Sequence, residues 1–294
     1  MLHGIIPPVV TPFRDDESLD LDGLRRHIDW QLGHKVHGIF VLGTTGEFYA
    51  QSEAEKQAVA AAAVEHVGSR AKVYVGTGAE TTGEVVRLSK MAAREGASGV
   101  SVITPYFLKP TQAELLDHFR RVADAAGVPV ILYNNPSTCA GLTIEPDTVA
   151  RLAEHPQIVG IKDSSGDLQN TIELVKRAQS DTFGVLIGRD TLILAGLLFG
   201  IRGAIPATCN IAPELCVGIY ESFRKGDVDA ARAFQDRLAP VRMALSLGTG
   251  NGAVKEALAL LGKSCGPNRR PIGPLPDDRR AALRRVLEQA GLPG

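Results

Sequence analysis

Residues 127–136 have the sequence GVPVILYNNP, in which a nearly continuous apolar run ends abruptly in a polar turn. The same pattern occurs at residues 38–43 (GIFVLG), 99–104 (GVSVIT) and 158–163 (IVGIKD). Continuous apolar runs of this length are typical of parallel strands that are covered on both faces, because half-exposed strands alternate apolar and polar residues. The pattern therefore indicates an α/β protein.

Eight such runs follow one another along the chain. We predict strands at His3–Val10, Gly38–Gly43, Val73–Gly78, Gly99–Pro105, Pro129–Asn134, Ile158–Lys162, Gly184–Gly188 and Gly203–Ala207. Amphipathic helical patterns fill most of the intervals between them. These patterns include Ser52–Val67, Thr111–Ala126, Glu145–Glu154 and Gln169–Gln179. Eight repeats of a strand and a helix predict a (β/α)8 TIM barrel, with an open doubly wound sheet as the alternative.

The chain continues well beyond the eighth predicted strand without another strand pattern. Helices are predicted at Pro213–Lys225, Asp227–Leu245, Gly252–Leu261 and Asp277–Gly291. The Pro- and Gly-rich stretch Gly266–Pro276 is expected to be a linker between helices. We therefore divide the chain into a barrel over residues 1–225 and a C-terminal helical extension of the same domain over residues 226–294.

The composition is that of an ordinary soluble globular protein, and it argues against two classes of partner. The 294 residues include 32 Lys and Arg against 33 Asp and Glu, so the formal net charge is -1. We expect no nucleic-acid partner, because phosphate binding is driven by a basic surface. The longest apolar run, residues 192–201, is too short to span a bilayer, so we also expect no membrane partner.

The N-terminal residues and the cysteines indicate a cytoplasmic protein. The first residues lack a basic flank and are interrupted by two adjacent prolines, so they do not resemble a signal peptide. The four cysteines are Cys139, Cys209, Cys216 and Cys265. They contain no C-x-x-C pair and are too few for a disulfide framework. We expect them to be small buried thiols in a reducing compartment.

Lys162 is the candidate nucleophile, because catalytic groups of a barrel lie at the carboxyl ends of its strands. It follows the apolar run of the sixth strand, where loss of hydration would favour the uncharged, nucleophilic amine. Such an amine can form a Schiff base with a carbonyl substrate. The alternative is a lysine whose side chain extends from the strand end into solvent.

Tyr133 ends the fifth strand and is expected to point across the barrel mouth toward the sixth. Its phenol could move protons during imine formation and cleavage of a carbon–carbon bond. The alternative is a core tyrosine with a satisfied hydroxyl group.

Thr44, Thr45 and Gly46 follow the second strand. Such a loop offers hydroxyl and backbone N–H groups to an anion, most simply a carboxylate. The alternative is a tight turn that binds no ligand.

Gly188, Arg189 and Asp190 follow the seventh strand. Asp190 could accept hydrogen bonds from substrate hydroxyls, and Arg189 could bind a second carboxylate. For Arg189 the residues alone slightly favour the alternative, a surface ion pair.

A metal site is not expected. His34 and His37 lie three residues apart, but no third ligand is near them in the sequence. All seven histidines lie at or before residue 155, away from the ends of strands six to eight, so a histidine base is not expected either.

Taken together, these motifs resemble the dihydrodipicolinate synthase / N-acetylneuraminate lyase family of class I aldolases and dehydratases. The matching segments are Thr44-Thr45-Gly46-Glu47, Thr104-Pro105-Tyr106, Tyr133-Asn134-Asn135-Pro136, Gly160-Ile161-Lys162-Asp163, Gly188-x-Asp190 and Gly203-Ala204-Ile205. They occur in the family's order, and the similarity runs from about His3 to the C-terminus. The set is specific because six separate segments agree.

The resemblance implies an imine between Lys162 and the 2-oxo carbon of pyruvate or a similar 2-oxo acid, with no other cofactor. It implies that Tyr133 shuttles the proton. Thr44 and Thr45 would hold the substrate carboxylate and link to Tyr133, and the backbone of Ile205 would line the pocket. The family resemblance also implies a homotetramer assembled as a dimer of dimers.

Departures from the family's synthases shift the expected substrate. Thr138 stands where dihydrodipicolinate synthase has an arginine for the carboxylate of its aldehyde substrate, and threonine cannot replace a bidentate arginine. Phe107 stands where that enzyme has a second tyrosine, which reaches the neighbouring subunit's site. Glu53, Lys56 and Glu80 also differ from the residues expected to bind the lysine inhibitor.

We therefore predict a lyase that cleaves or dehydrates a 2-keto-3-deoxy sugar acid or a 4-hydroxy-2-oxo acid. Thr138, Arg189 and Asp190 would contact the distal part of the substrate. The alternatives are a 4-hydroxy-tetrahydrodipicolinate (dihydrodipicolinate) synthase and a non-catalytic relative that binds a 2-oxo acid. A flavin or nicotinamide oxidoreductase is disfavoured, because no phosphate-binding glycine loop follows strands seven or eight.

Overall fold

Eight strands of the barrel are present in the computed structural model, which describes residues 2–249 and 251–292. The strands are Gly4–Ile5 (β1), Gly38–Val41 (β2), Lys72–Gly76 (β3), Gly99–Ile103 (β4), Val130–Asn134 (β5), Ile158–Asp163 (β6), Gly184–Ile187 (β7) and Gly203–Ala204 (β8). The predicted barrel and extension also include Met1, Gly250, Pro293 and Gly294, which lie outside the described residues.

All eight strands belong to one parallel sheet with the order β1-β8-β7-β6-β5-β4-β3-β2. The two edges of this sheet meet at a parallel bridge between Pro8 and Phe40. There Val9 N donates to Phe40 O at 2.9 Å, and Phe40 N donates to Pro7 O at 3.0 Å. The sheet therefore closes into a barrel, which confirms the (β/α)8 prediction and makes the open doubly wound alternative wrong.

The first and last strands are shorter than predicted. The expected strand His3–Val10 is regular only over Gly4–Ile5, because the prolines that follow have no N–H to donate to a ladder. The expected strand Gly203–Ala207 ends at Ala204, and a 3₁₀ turn at Ala207–Asn210 follows the proline at position 206. Prolines thus end the regular pairing on both sides of the closure.

In the described part of the chain, eight helices surround the sheet. They are Leu21–Gly33 (α1), Glu53–Val67 (α2), Thr82–Arg94 (α3), Gln112–Ala126 (α4), Pro146–Ala153 (α5), Leu168–Ala178 (α6), Ile193–Leu198 (α7) and Pro213–Arg224 (α8). Capping boxes start two of them, with Ser52 and Glu55 at α2 and Thr111 and Glu114 at α4. These caps satisfy N–H groups that a helix leaves unpaired at its start.

The extension contributes three more helices, Val228–Ala244 (α9), Gly252–Leu260 (α10) and Asp277–Gln289 (α11). Helix α9 packs on α8 and on the turn after β7, while α10 packs on α11 and on the 3₁₀ turn after β8. Residues 266–276 contain neither helix nor strand, as predicted for the linker. The extension therefore reaches the loops at the carboxyl end of the barrel.

The core has two parts. A small cluster that includes Phe40, Tyr74, Ile131 and Leu186 contains side chains contributed by different strands. A much larger cluster joins the strands to the helices that cover them. Burial on both sides explains why the strands are nearly continuous in apolar residues.

Two further expectations bear on the core and on the surface. All four cysteines are free and buried, which confirms that part of their prediction. Within the described ranges, no helix combines the length and the apolar character needed to cross a bilayer.

Candidate active site at the carboxyl end of the barrel

Lys162 and Tyr133 face each other from neighbouring strands. They are register partners on β6 and β5, so their side chains leave the sheet on the same side. Lys162 is 4% exposed, and its Nζ lies 4.3 Å from the centroid of the Tyr133 ring. The ring of Phe40 is 5.5 Å from the same amine. The alternative in which Lys162 extends into solvent is therefore wrong.

The amine of Lys162 faces no counter-ion from the described residues. Across residues 2–249 and 251–292, its Nζ makes no hydrogen bond or ion pair with another protein group. The neighbouring Asp163 is engaged elsewhere, since it accepts from Asn134 Nδ2 at 2.9 Å and from Thr171 Oγ1 at 2.7 Å. A buried amine that is not held by a carboxylate is available to add to a carbonyl group.

Gly188 makes room for this amine. A Cβ atom at position 188 would collide with Ser164 Oγ and lie 2.8 Å from Cε of Lys162. Gly188, which was predicted to belong to the site, therefore has a steric role there, because any side chain at this position would displace the lysine.

The Tyr133 hydroxyl lies between two loops. Asn135 Nδ2 donates to it at 3.1 Å, and Thr44 Oγ1 lies 3.5 Å away. The link between Thr44 and Tyr133 that the family resemblance implies is therefore present as a contact. Our prediction did not assign a role to Asn135, although it stands in the polar turn that ends the strand.

The loop after β2 is held rigidly and leaves backbone donors free. Thr11 Oγ1 and Gln51 Nε2 both donate to the carbonyl oxygen of Gly46, each at 2.7 Å. In the described part of the chain, the N–H groups of Thr45 and Gly46 have no hydrogen-bond acceptor. These two donors suit an anion better than a closed turn.

Gly46 lies where two other parts of the backbone approach closely. A Cβ atom there would lie 3.1 Å from both Leu42 N and Val9 O. This contact explains why a glycine stands between the threonines and the following glutamate.

The same loop is anchored from the C-terminal extension. Glu47 Oε1 forms an ion pair with Lys255 Nζ at 2.7 Å, and Arg269 N donates to Glu47 Oε2 at 3.1 Å. Asn251 Nδ2 donates to the carbonyl oxygen of Thr44 at 2.7 Å. Burial lowers the pKa of Lys255, and the charge of Glu47 partly offsets this shift. Sequence reasoning missed these anchors, because they lie far from any predicted strand end.

The structure corrects the role predicted for Asp190. Its carboxylate is 1% exposed, and its Oδ1 accepts from Thr208 N at 2.8 Å and from Thr208 Oγ1 at 2.6 Å. Its Oδ2 lies 2.9 Å from Nε of Arg242 on α9. Oδ1 is hydrogen-bonded to Thr208, whereas the buried Oδ2 faces the Arg242 guanidinium across an ion pair without hydrogen-bond geometry. The carboxylate therefore faces α9 and is not exposed as an acceptor for substrate hydroxyls.

Arg189 remains available beside it. The side chain is half-buried and approaches the β6–α6 loop, where a Cβ on Gly166 would lie 3.0 Å from the Nε atom of Arg189. No ion pair of Arg189 is present among the described residues. The surface ion pair considered as an alternative is therefore absent there, and the guanidinium could meet an anionic group.

Thr138 and Ile205 complete the predicted set. Thr138 is exposed in the 3₁₀ turn Pro136–Thr138, where its Oγ1 donates to Asn135 O at 3.3 Å. Ile205 is buried, and its N–H donates to Ile187 O at 2.9 Å. The carbonyl oxygen is thus the backbone group of Ile205 that could face a ligand.

The histidines at the start of β2 are used structurally. His34 Nδ1 lies 2.8 Å from Trp30 O, whereas His37 contacts Ile5 N through Nδ1 and Glu221 Oε1 through Nε2. In the described ranges, no group of three or more His, Cys, Asp and Glu side chains is arranged to hold a metal ion.

Comparison with known sequences agrees with this geometry. The model of the dihydrodipicolinate synthetase family matches residues 1–290. A 4-hydroxy-tetrahydrodipicolinate synthase from Methanoculleus marisnigri is 40% identical, over 99% of this chain and 100% of its own. An uncharacterised DapA-like lyase from Halobacterium salinarum is 42% identical, over 99% of this chain and 95% of its own.

Solved structures give the same result. YagE, a prophage protein of the dihydrodipicolinic acid synthase family from E. coli K12 in complex with pyruvate, superposes with a TM-score of 0.96 and 36% identity over 99% of both chains. Dihydrodipicolinate synthase from Aquifex aeolicus superposes with a TM-score of 0.95 and 33% identity, again over 99% of both chains.

The fold and the family comparison define a lyase built on a (β/α)8 barrel. The chain belongs to the dihydrodipicolinate synthetase family. The resemblance drawn from the ordered strand-end motifs is thereby confirmed.

Proposed function

We propose that Lys162 forms an imine with the 2-oxo carbon of pyruvate. The observation that carries this proposal is a buried amine that has no counter-ion among the described residues and lies between the Tyr133 ring and the space left by Gly188. The amine adds to the carbonyl and water leaves, which produces a cationic imine. Loss of a proton from C3 then gives an enamine, because the imine accepts the electron pair. No cofactor other than this covalent imine is needed.

The groups around Lys162 are assigned accordingly. Tyr133 moves the proton during addition and loss of water, with Thr44 beside its hydroxyl. The N–H groups of Thr45 and Gly46 bind the pyruvate carboxylate. The carbonyl oxygen of Ile205 lines the other side of the pocket.

We propose 4-hydroxy-tetrahydrodipicolinate synthase as the first candidate for the complete reaction. The enamine adds to the aldehyde carbon of aspartate semialdehyde, and the amino group of the added unit then displaces Lys162 from the regenerated imine as the ring closes. Several relatives at 36% to 40% identity carry this name, among them the Methanoculleus marisnigri protein. Arg189 at the end of β7 has no protein partner in the described ranges and could bind the carboxylate of the semialdehyde. These observations favour the synthase over our prediction of a sugar-acid lyase.

A lyase for a 2-keto-3-deoxy sugar acid or a 4-hydroxy-2-oxo acid is the second candidate. Its support is Thr138, which stands where the synthases have an arginine for the aldehyde carboxylate. The occupied carboxylate of Asp190 weakens the sugar-acid form, because that form needs an acceptor for substrate hydroxyls. A 4-hydroxy-2-oxo acid with a distal carboxylate would still suit Arg189.

We also propose a homotetramer in the cytoplasm. Of the seven large apolar side chains that are exposed in the described residues, four form two pairs, Phe107 and Leu108 after β4 and Leu198 and Phe199 at the end of α7. Exposed apolar patches of this kind mark contacts between proteins. Two separate patches suit a dimer of dimers. Sedimentation of the Leu108→Glu and Leu198→Glu variants would test each contact, and a monomeric parent protein would contradict the proposal.

Borohydride reduction in the presence of pyruvate tests the imine. We expect a covalent adduct on Lys162 by peptide mass spectrometry and none without pyruvate. The absence of an adduct on the native chain would overturn the proposal. An adduct without turnover of any substrate would instead favour the non-catalytic relative.

A substrate panel separates the two candidates. Pyruvate with aspartate semialdehyde, 2-keto-3-deoxy sugar acids and 4-hydroxy-2-oxoglutarate would be assayed in parallel, with pyruvate release and water loss followed separately. Arg189→Met should raise the KM for the semialdehyde at least about tenfold and leave the KM for pyruvate unchanged. Release of pyruvate from a sugar acid as the fastest reaction would favour the second candidate.

A further inference from the structure

We infer that Lys255 and Glu47 are positioning residues for the loop that carries Thr44 and Thr45. The inference deepens the proposed function and rests on it, because it concerns how that loop is held next to the imine-forming lysine. Neither residue touches the amine of Lys162.

Glu47 is oriented inward by the backbone of the loop itself. Its φ angle is 56°, in the left-handed region that a residue with a side chain seldom adopts. This conformation persists only where surrounding contacts enforce it. The carboxylate is turned into the protein, where Lys255 and the N–H of Arg269 bind it.

Lys255 has a fixed position of its own. Its Nζ donates to the carbonyl oxygen of Pro267 at 2.7 Å and lies 4.3 Å from the centroid of the Phe13 ring. The side chains of Lys255 and Glu47 are 2% and 1% exposed. Two charges removed from water require close partners, so the pair tolerates few alternative arrangements. The ion pair therefore fixes the position of the loop after β2 relative to α10.

Two hydrogen bonds to the carbonyl oxygen of Thr44 connect this fixed position to the reacting groups. Glu47 N donates to Thr44 O at 3.1 Å, and Asn251 Nδ2 donates to the same oxygen at 2.7 Å. Thr44 Oγ1 in turn lies 3.5 Å from the hydroxyl of Tyr133, which is already at the limit of a hydrogen bond. A small movement of the loop breaks this contact and redirects the N–H groups that face the carboxylate.

A pair that only stabilised the fold would behave differently. Removing both charges together usually restores much of the stability that removing one charge takes away. The site would then recover along with the fold. A positioning pair leaves a lasting defect, because the neutral loop is stable but no longer held in register.

The test compares two pairs on the same helix. Glu47→Gln/Lys255→Met removes the inferred pair. Glu256→Gln/Arg280→Met removes the ion pair between α10 and α11. Glu256 is the residue after Lys255 on α10, but its partner lies on α11 and not in the loop after β2. For each protein, the melting temperature and the pyruvate dependence of borohydride trapping at Lys162 would be measured.

For Glu47→Gln/Lys255→Met we expect a melting temperature near that of the native chain. Half-maximal trapping should need at least about fivefold more pyruvate, and the maximal trapping rate should fall at least about tenfold, since a displacement of about 1 Å can slow a reaction far more. Glu256→Gln/Arg280→Met should trap like the native chain. Glu47→Asp, which keeps the charge and shortens its reach, should show a smaller defect of the same kind.

The outcomes separate this inference from the function on which it rests. No trapping by the native chain would overturn the imine proposal. Trapping by Glu47→Gln/Lys255→Met with the native rate and pyruvate dependence would overturn only the positioning role. Should that double variant fail to fold, Glu47→Asp decides: native trapping behaviour would contradict the inference.

Discussion

Two buried lysines with similar apolar surroundings differ in the charge that faces them. Lys162 at the end of β6 and Lys255 on α10 are both buried, and each amine lies 4.3 Å from an aromatic ring centroid. Lys255 also has the carboxylate of Glu47 at 2.7 Å. Lys162 has no ion-pair partner among the described residues.

Under the proposed function, burial is common to the reactive and the structural lysine, and the counter-ion distinguishes them. A carboxylate at contact distance stabilises the ammonium form and turns the lysine into a structural cation. An amine without such a partner is not held in an ion pair, and we propose that Lys162 is free to add to a carbonyl substrate for this reason. We therefore assign the positioning of the loop to the region around Lys255 and the proposed chemistry to the region around Lys162.

The largest expected effect comes from Lys162→Met, which keeps the apolar stem and removes the amine. Turnover and borohydride trapping should fall at least about 1,000-fold, because loss of a covalent nucleophile removes the reaction path. The free energy of unfolding should not decrease, since no ion pair is broken. Parallel rate and denaturant measurements check both halves, and a variant with native turnover would contradict the assignment.

Lys255→Met should lower the free energy of unfolding, whereas Lys162→Met should not. Breaking a buried pair strands the charge of Glu47, and we expect the free energy of unfolding to fall by about 3–5 kcal/mol. Adding Glu47→Gln should restore most of that loss. Urea titrations of the single and double variants measure the change. Equal stabilities of the native chain and Lys255→Met would show that the two regions do not differ as described.

His27 extends the comparison to a buried base with a neutral partner. Its Nε2 faces Asn210 Oδ1 at 2.9 Å, and burial lowers the pKa of His27 to about 4. The unfolded chain binds more protons between pH 6.5 and pH 4, so stability present above pH 6.5 is lost as the pH falls through this window. The expected loss is about 3 kcal/mol.

The variant His27→Gln should remove this share of the acid sensitivity. Burial also lowers the pKa of His118 to about 4, so His118→Gln should act in the same direction. Unfolding free energies at pH 7, 5.5 and 4 provide the measurement. If His27→Gln keeps the full native pH dependence, the neutral buried form of His27 is refuted.

Gly188→Ala should have the smallest effect of the four. The added Cβ meets Ser164 Oγ and Cε of Lys162, which should displace the lysine and slow trapping about 10–100-fold. Unfolding should become easier by about 1–3 kcal/mol through overpacking. Gly83→Ala on α3 is the matched control, because its Cβ meets no atom within 4 Å and it should leave trapping unchanged.

Much of the fold and part of the site could be predicted from local patterns. The runs around β5 and β6 placed Tyr133 and Lys162 correctly at adjacent strand ends, because parallel strands bring all their carboxyl ends to one side. The short β1 and β8 were overestimated, because local apolarity does not reveal where proline interrupts a ladder.

Errors at the site had a different origin. Asp190 follows a strand as a ligand group would, but its carboxylate is taken by Thr208 and by Arg242 from α9. The partner of a polar side chain depends on which distant segments meet, and no local pattern contains that information.

By itself, the sequence determined the barrel, the family and the lysine and tyrosine at the strand ends, because periodicity and motif order are properties of consecutive residues. Only the tertiary structure decided which buried charged side chains have a partner of opposite charge. The ion pair of Glu47 and Lys255 joins residues 208 positions apart. Lys162 has no ion-pair partner among the described residues, and this too depends on how distant segments fold together. The proposed reactivity of Lys162 depends on which groups lie near its amine in the folded chain, because neighbouring groups set the stability of a buried charge.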